Sequence, residues 1–411
     1  MGVDCYCIGN DLRALCSASE WWRGTLSVMA MNETSPQSID SARAVVRTVV
    51  LHGPISRSEV ARRLGLSPAS MTRLAKPLID QNLLVEDDVV ADPIHGRLVR
   101  PLDVSPSLRF VGVKIAIDAV HGVLTDARAS ILARHTAPLA SSTPDDVIRV
   151  VADVIARLAD GEAVHSVGVS LGGHTDDHSS VVLSRSLGWR SVPLGERLTE
   201  ACGLPVIVEN DVTALTVAQH LFSPDRDSER FALVTVGVGV GCGLVINGDV
   251  VRQLDAASPS PSMLILNPAG PTVPEGPRGS ALAYLASANV AIAASSACGR
   301  MLSFDEAIAL ARTGDPGAFP VVAESAAYLG RFIASVATMS YVTRFILSGE
   351  GIAIAEVGAD AMREAIAESR PSWSTPLDIE IVPTSMSDWA RGAASVAVWA
   401  MIEGYSPDDR W

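Results

Sequence analysis

The stretch TVGVGVGCGLVING, residues 235–248, carries glycine at 237, 239, 241, 243 and 248. Bare backbone at this density could cradle a phosphate, because no Cβ keeps an anion from the amides. The spacing argues against that use. Glycines at period two line one face of an extended hairpin, and the pattern departs from G-x-G-x-x-G because residue 244 is leucine and a strand follows. The stretch is expected to be a scaffold loop without a nucleotide, with room for a close ligand or strand. Asp211, in END, is a carboxylate that could take a proton from a hydroxyl, with Asn210 beside it as a hydroxyl ligand. The same aspartate equally fits the N-cap of the following helix. GVSLG, residues 168–172, matches G-x-S-x-G, but that nucleophile turn needs a helix directly after the serine, and the polar GGHTDDHSS follows. HTDDH, His174 to His178, could ligate a metal, but reads better as a solvated loop. Trp189, in GWRS, is either a core aromatic or a platform on which a sugar ring stacks.

These residues need elements to hold them, and the pattern changes along the chain. Residues 1–37 show little periodicity, end in the linker-like NETSPQS, and are expected to be disordered. From residue 38, Ala42, Val45, Val46, Val49 and Val50 fall on one helical face. Ser56 and Glu59 form a capping box, and Gly65 supplies a helix stop. Ser67 then caps a further helix with Pro68 in its first turn, and Pro77 should kink its later part. Two short helices across a tight turn have helix-turn-helix spacing. The second would present Ser67, Pro68, Ala69, Ser70, Thr72, Arg73 and Lys76 to a major groove; the residues at its start are mostly small or hydrogen-bonding, as close approach to base edges requires. The alternating segment after it reads as a two-stranded wing with Arg97 and Arg100 near phosphates, which gives a winged helix over residues 38–104.

From about residue 105 the chain reads as α/β. RFVGVKIAI, HGVLTD and SILARHTAPL are three short strand-like runs, and Thr143 then caps a helix opened by Pro144 with Asp145 and Asp146 at its positive end. Val147, Val150, Val151, Val154, Ile155 and Leu158 form the buried stripe of that helix. A second β-β pattern begins at FALVTVGVG and leads into a helical half. Two such units predict two related lobes, about residues 105–225 and 226–390, with a cleft between them and a C-terminal helix returning to the first.

In this order, the helix-turn-helix, FVGVKIAIDAVHGVLTD, VGVSLGGHTDD, LGW, VENDVTALTVAQ and TVGVGVGCGLVING resemble the ROK family of repressors, open reading frames and sugar kinases, from about residue 40 to the end. The resemblance implies a two-lobed actin-like ATPase (RNase H-like) domain behind the winged helix-turn-helix, a sugar or sugar-phosphate in the inter-lobe cleft, and a homodimer or homotetramer. By the same resemblance Asp211 is the family's general base, here a vestige, and Gly172, Gly173, His174, Trp189, Asn210 and Asp211 are the candidate effector residues. The chain departs from the family's kinase pattern. The Asp-x-Gly-Gly-Thr phosphate loop aligns with KIAID, where Lys114 replaces the acid and both glycines are missing. In the zinc and sugar block the glutamate becomes Pro259, the histidine Ser262, the cysteines Val273, Glu275 and Ser280, and the last glutamate Leu282. No zinc, no cofactor and no phosphotransferase activity are therefore expected.

Charge divides the chain in the same way. Residues 41–100 hold nine bases against six acids, so the remainder of a chain of net charge −14 carries −17. A basic head on an acidic body fits double-stranded DNA as the partner. Six cysteines without paired metal spacing, no convincing signal peptide and no apolar span predict a cytoplasmic protein with free thiols and no membrane contact. The reading is a DNA-binding regulator of the repressor class that senses an effector in its cleft; the competing class is a sugar kinase with an appended DNA head. Substituting Arg73 with alanine is expected to weaken specific binding by roughly 1–3 kcal/mol if it reads a base. A uniform loss across unrelated duplexes in a gel-shift titration would mark it as a phosphate contact instead.

Overall fold

The computed structural model describes residues 36–91, 98–176, 178–224, 226, 228–252, 260–274 and 276–404. Of the extension expected over 1–37, residues 1–35 lie outside these, as does Arg97; the first helix already begins at Pro36. The head comprises α1 (Pro36–His52), β1 (Ile55–Ser56), α2 (Arg57–Arg63), α3 (Pro68–Asp80), β2 (Leu84–Glu86), β3 (Val90–Ala91), β4 (Leu98–Val99) and β5 (Pro101–Val104). β1, β5 and β2 form a small antiparallel sheet, and β3 pairs with β4 beyond it as the wing. Ala42, Val45, Val46, Val49 and Val50 are all buried on α1. α3 continues through Pro77 to Asp80. Ser67 Oγ accepts from the Ser70 amide at 3.1 Å, which fixes the start of α3. The capping box at α2 is only half formed. Ser56 Oγ accepts from the Glu59 amide, but the Glu59 carboxylate is held by Arg62 and Arg63, whose hydrogen bonds, that of Arg62 foremost, pull its pKa down to about 2.

The first lobe follows with β6 (Arg109–Ile115), β7 (Ala119–Thr125), β8 (Ile131–Pro138), α4 (Pro144–Leu158), β9 (Val164–Leu171), β10 (His174–Thr175), β11 (Val181–Ser184), β12 (Trp189–Val192), α5 (Leu194–Cys202), β13 (Val206–Asn210) and α6 (Asp211–Phe222). The second contains β14 (Arg230–Val236), β15 (Val240–Ile246), β16 (Asp249–Val250), α7 (Ala281–Leu285), α8 (Ser287–Cys298), α9 (Phe304–Arg312), α10 (Ala318–Ser340), β17 (Arg344–Ser348), α11 (Ala353–Val357), α12 (Ala359–Glu368), β18 (Asp378–Ile381) and α13 (Met386–Gly404). Thr143 caps α4 as its sequence implies, although Ile148 is buried on its inner stripe where Val150 is only half-buried.

The two lobes repeat one topology. The first sheet runs β13-β9-β6-β7-β8 and the second β18-β17-β14-β15-β16; in each, an antiparallel meander continues into two parallel crossover strands. α6 and α13 are the equivalent helices that leave the last strand of each sheet, and each packs on the other lobe's sheet.

That exchange depends on missing side chains. Gly112 and Gly168 are register partners on β6 and β9, and a Cβ on either would overlap the backbone of α13 at Ala390 or Ala393. Gly392 lies against the backbone of α6 at Ala214. On the other side, Cβ atoms at Gly241 and Gly243 of β15 would run into Val212 and Thr216 of α6. Of the period-two glycines, Gly241 and Gly243 therefore make room for a helix rather than for a ligand or a strand. Gly243→Ala is expected to destabilise the protein by about 1–3 kcal/mol through overpacking. Gly239→Ala, where a Cβ meets nothing within 4 Å, should stay within about 0.5 kcal/mol; thermal melts of the two variants test the contrast.

Candidate functional site

The carboxyl ends of the parallel strands β6, β9 and β13 converge where α6 begins, the usual place for a ligand crevice in an α/β sheet. Lys114 stands near the end of β6, paired in register with Ser170 of β9. Its ammonium contacts Asp211 Oδ2, and the two side chains are only 10% and 15% exposed. The ammonium also sits 5.2 Å from the ring centroid of Trp389, at the start of α13, in a cation–π contact. Asp211 Oδ1 accepts from the Val212 amide at 2.9 Å, so both carboxylate oxygens are engaged. The helix N-cap is Asn210 rather than Asp211. Asn210 Oδ1 accepts from the amides of Val212 and Thr213, and its Nδ2 donates to Gly173 O at 2.8 Å. Asn210 thus ties the Gly172–Gly173 turn to α6. A Cβ at Gly172 would lie 3.6 Å from Asp211 Oδ2 and 3.8 Å from Ser186 Oγ, which places this turn beside the Lys114–Asp211 pair. His174 is half-buried on β10, beside this turn.

Trp189 is a correction to the sequence reading. It is 3% exposed in the first-lobe core and its indole N–H donates to Ser142 O at 2.6 Å, so no face is left for a sugar. Ser170 continues strand β9 in full burial, unlike a nucleophile at a strand-to-helix turn. In HTDDH, Asp176 accepts from the Ser180 amide at 2.7 Å as a turn brace. His178 Nδ1 lies 3.4 Å from the buried Glu209, and its other ring nitrogen contacts Arg252, just past β16, which links a first-lobe loop to the second lobe. Among the described residues no group of three or more His, Cys, Asp or Glu is arranged to hold a metal. Of the positions aligned with the zinc block, Pro259 and Glu275 lie outside the described residues. Nearby, Asn267 Nδ2 donates to the hydroxyls of Tyr284 and Tyr328, whose rings stack, and this braces the segment.

The tip of the glycine hairpin is filled from within. Glu350, in the β17–α11 loop, accepts from the Val238 amide at 3.0 Å, and its carboxylate takes the space a Cβ of Gly237 would need. An anion at the tip would compete with that carboxylate for the same amide. Sequence reading missed Glu350; its signal is SGEGIA, an acid framed by glycines.

In the head, Ser67, Pro68, Ala69, Thr72, Arg73 and Lys76 are exposed, Ser70 is half-buried, and Arg100 is exposed beside β4. Met71, Leu74, Ala75 and Leu78 turn the other face of α3 into the core. Arg62 and Arg63 are engaged with Glu59, and Arg57 with Glu86, so they do not add freely to the basic surface.

A model of the ROK family matches residues 110–400. The chain belongs to the ROK family. It is 21% identical over 363 residues to the xylose repressor of Bacillus subtilis (strain 168), covering 87% of this chain and 94% of that protein. Among solved structures, a ROK family transcriptional regulator described as a homolog of E. coli MLC protein superposes with a TM-score of 0.76 at 22% identity, over 90% of this chain and 97% of that one. A ROK family glucokinase from Streptomyces griseus, in complex with glucose and AMPPNP, superposes with a TM-score of 0.62 at 21% identity, over 70% of this chain and 98% of that one. The regulator match takes in more of this ROK chain than the glucokinase match does, and both show the two-lobed fold.

Removing one member of the Lys114–Asp211 pair leaves an uncompensated buried charge. Lys114→Met or Asp211→Asn alone is expected to alter stability unequally. Lys114→Met leaves the carboxylate unpaired and costs about 3–5 kcal/mol, whereas the double variant Lys114→Met/Asp211→Asn recovers most of the loss. Thermal melts of the three variants check this.

Proposed function

We propose that this ROK protein is a DNA-binding transcriptional regulator of the repressor class, acting in the cytoplasm, that reads a palindromic operator as a homodimer or homotetramer and responds to a sugar or sugar-phosphate in its inter-lobe cleft. The observation that carries the reading is the exposed outer face of α3, capped at Ser67 and held by a buried apolar face, with Arg73 and Lys76 available to a groove. Small and hydroxyl-bearing residues at its start suit base edges, and Arg100 beside the wing suits phosphates, as does the nearby Arg97 of the sequence. The names of the repressor relatives support the effector class. Among the described residues no helix is long and apolar enough to cross a membrane.

Catalysis is disfavoured by charge. A kinase base must be free to take a hydroxyl proton, and phosphoryl transfer relies on cations held against the phosphates. Here Asp211 is tied to Lys114, that lysine stands where the kinase pattern has an acid, and Glu350 occupies the hairpin tip. An effector would act by binding two lobe arrangements with different affinity and thereby resetting the spacing of two DNA heads.

Footprinting of the purified protein on the DNA upstream of its own gene is expected to show a protected two-fold site whose affinity falls with salt. Absence of salt-dependent retention would remove the regulator reading. A coupled ADP-release assay over a sugar panel is expected to show no turnover; sustained turnover would establish the kinase instead. Thermal shifts over the same panel identify cleft ligands, since a ligand bound to the folded state raises the melting temperature.

A further inference from the structure

The head is fastened to the body on two sides, by arginines of different character. On one side Arg128, in the β7–β8 turn of the first lobe, contacts the Asp103 carboxylate of β5 and donates to Val49 O of α1 at 3.4 Å. That turn is itself fixed to α13, because Arg391 Nε donates to Ala129 O at 2.8 Å. On the other side Arg47 of α1 reaches three elements at once. Its guanidinium lies 3.3 Å from His220 Nε2 near the end of α6, 3.4 Å from Gly248 O in the β15–β16 turn of the second lobe, and 4.9 Å from the ring centroid of Trp399 on α13.

We propose that Arg47 is the contact through which the DNA head reads the position of the second lobe, with Arg128 as the fixed anchor on the first. This rests on the regulator reading and names the element that would carry its response. Three observations support it. First, α6 has its N-terminus in the cleft at Asp211 and His220, near its far end, under Arg47, roughly 13 Å further along the helix axis. α13 runs alongside with Trp389 under Lys114 and Trp399 under Arg47, so both crossing helices have one end at the crevice and the other at the head. Second, Gly248 belongs to an Asn-Gly turn in which Asn247 and Gly248 both have positive φ, a tight hairpin closure that moves as a unit with the second sheet. Third, the two arginines differ in what holds them: Arg128 is fixed by the Asp103 carboxylate, whereas Arg47 hydrogen-bonds only to an imidazole and a carbonyl, at 3.3 and 3.4 Å, the outer limit of such bonds. The guanidinium can only donate, so a bond to His220 requires the tautomer with Nε2 as acceptor. Burial, then the nearby Arg47 charge, pushes the His220 pKa down, against a backbone hydrogen bond at Gly248 that raises it.

The test is a double-substitution cycle in the full chain. Gly243→Ala wedges β15 away from α6 and so displaces the second lobe without altering any residue of the head. Arg47→Met keeps the length of the side chain but removes the donors and the charge. Affinity for the upstream duplex is expected to change at least fivefold with Gly243→Ala in the otherwise native chain, and less than twofold in the Arg47→Met background. An equal effect in both backgrounds, or none in the native chain, overturns the proposal. Gly241→Ala, which meets only the movable Val212 side chain and Thr235, serves in the same cycle if Gly243→Ala does not fold. Amide hydrogen exchange of α1 is measured on the same four proteins with no DNA present. Each single substitution is expected to raise α1 exchange, and the double variant to raise it no further than Arg47→Met alone. Additive exchange overturns the proposal whether or not the protein binds DNA. A non-additive result with no DNA binding would sustain the coupling while removing the regulator reading.

Discussion

The architecture depends on the absence of side chains where two helices cross between lobes. α6 and α13 could not lie this close to the opposite sheets with Cβ atoms at Gly241 and Gly243 on one side and Gly112 and Gly168 on the other, nor against each other with one at Gly392. Interiors are packed to crystal-like density, so room for backbone-level contact has to be built in. The result is a pair of rods, each rooted in one lobe and seated in the other. Their shared contact makes the relative position of the sheets a property of the whole body rather than of a flexible joint.

Charge placement gives that frame its character. The crevice at the strand ends holds a lysine and an aspartate that satisfy one another beneath a tryptophan, and the second lobe places a carboxylate from its own loop at the hairpin tip. Both arrangements are self-contained. An ammonium held by a carboxylate and an aromatic face is poorly placed to gather a second cation, and an amide already bonded to Glu350 has no free donor for another anion. In both places a polar group of the body is partnered by another from a distant part of the chain.

The head joins this body through guanidinium groups rather than a broad apolar seam alone. Its core runs into the body's along α1, α6 and α13, through residues such as Val49, Leu221 and Val398. Apolar contact is tolerant of small slides; a guanidinium bonded to a carbonyl is directional and is lost over short distances. Continuity of the core keeps head and body together, and the arginines set the angle at which they meet.

Much of this was legible in the residues. The capped helices at Ser67 and Thr143, the buried stripe of α1, the wing strands and the duplicated strand pattern all rest on local periodicity and turn chemistry, which act over a few residues. The order of motifs was equally plain, and it carries the resemblance in which Lys114 stands at the position of the family's acid. Partnerships across long separations were not legible. Lys114 and Asp211 are 97 residues apart, Val238 and Glu350 112, and Arg47 and Gly248 201, and nothing in the local pattern of either member identifies the other. Trp189 shows the same boundary: its sequence neighbours fit a ligand platform and a core residue alike, and only the fold brings the Ser142 carbonyl to its indole and closes the core over its faces. The glycines of residues 237–243 carry the point furthest. Sequence alone established that space was being kept there, while the identity of what fills it, a helix from the other lobe and a carboxylate from a distant loop, was decided by tertiary packing, because contact at that range depends on where whole elements come to rest.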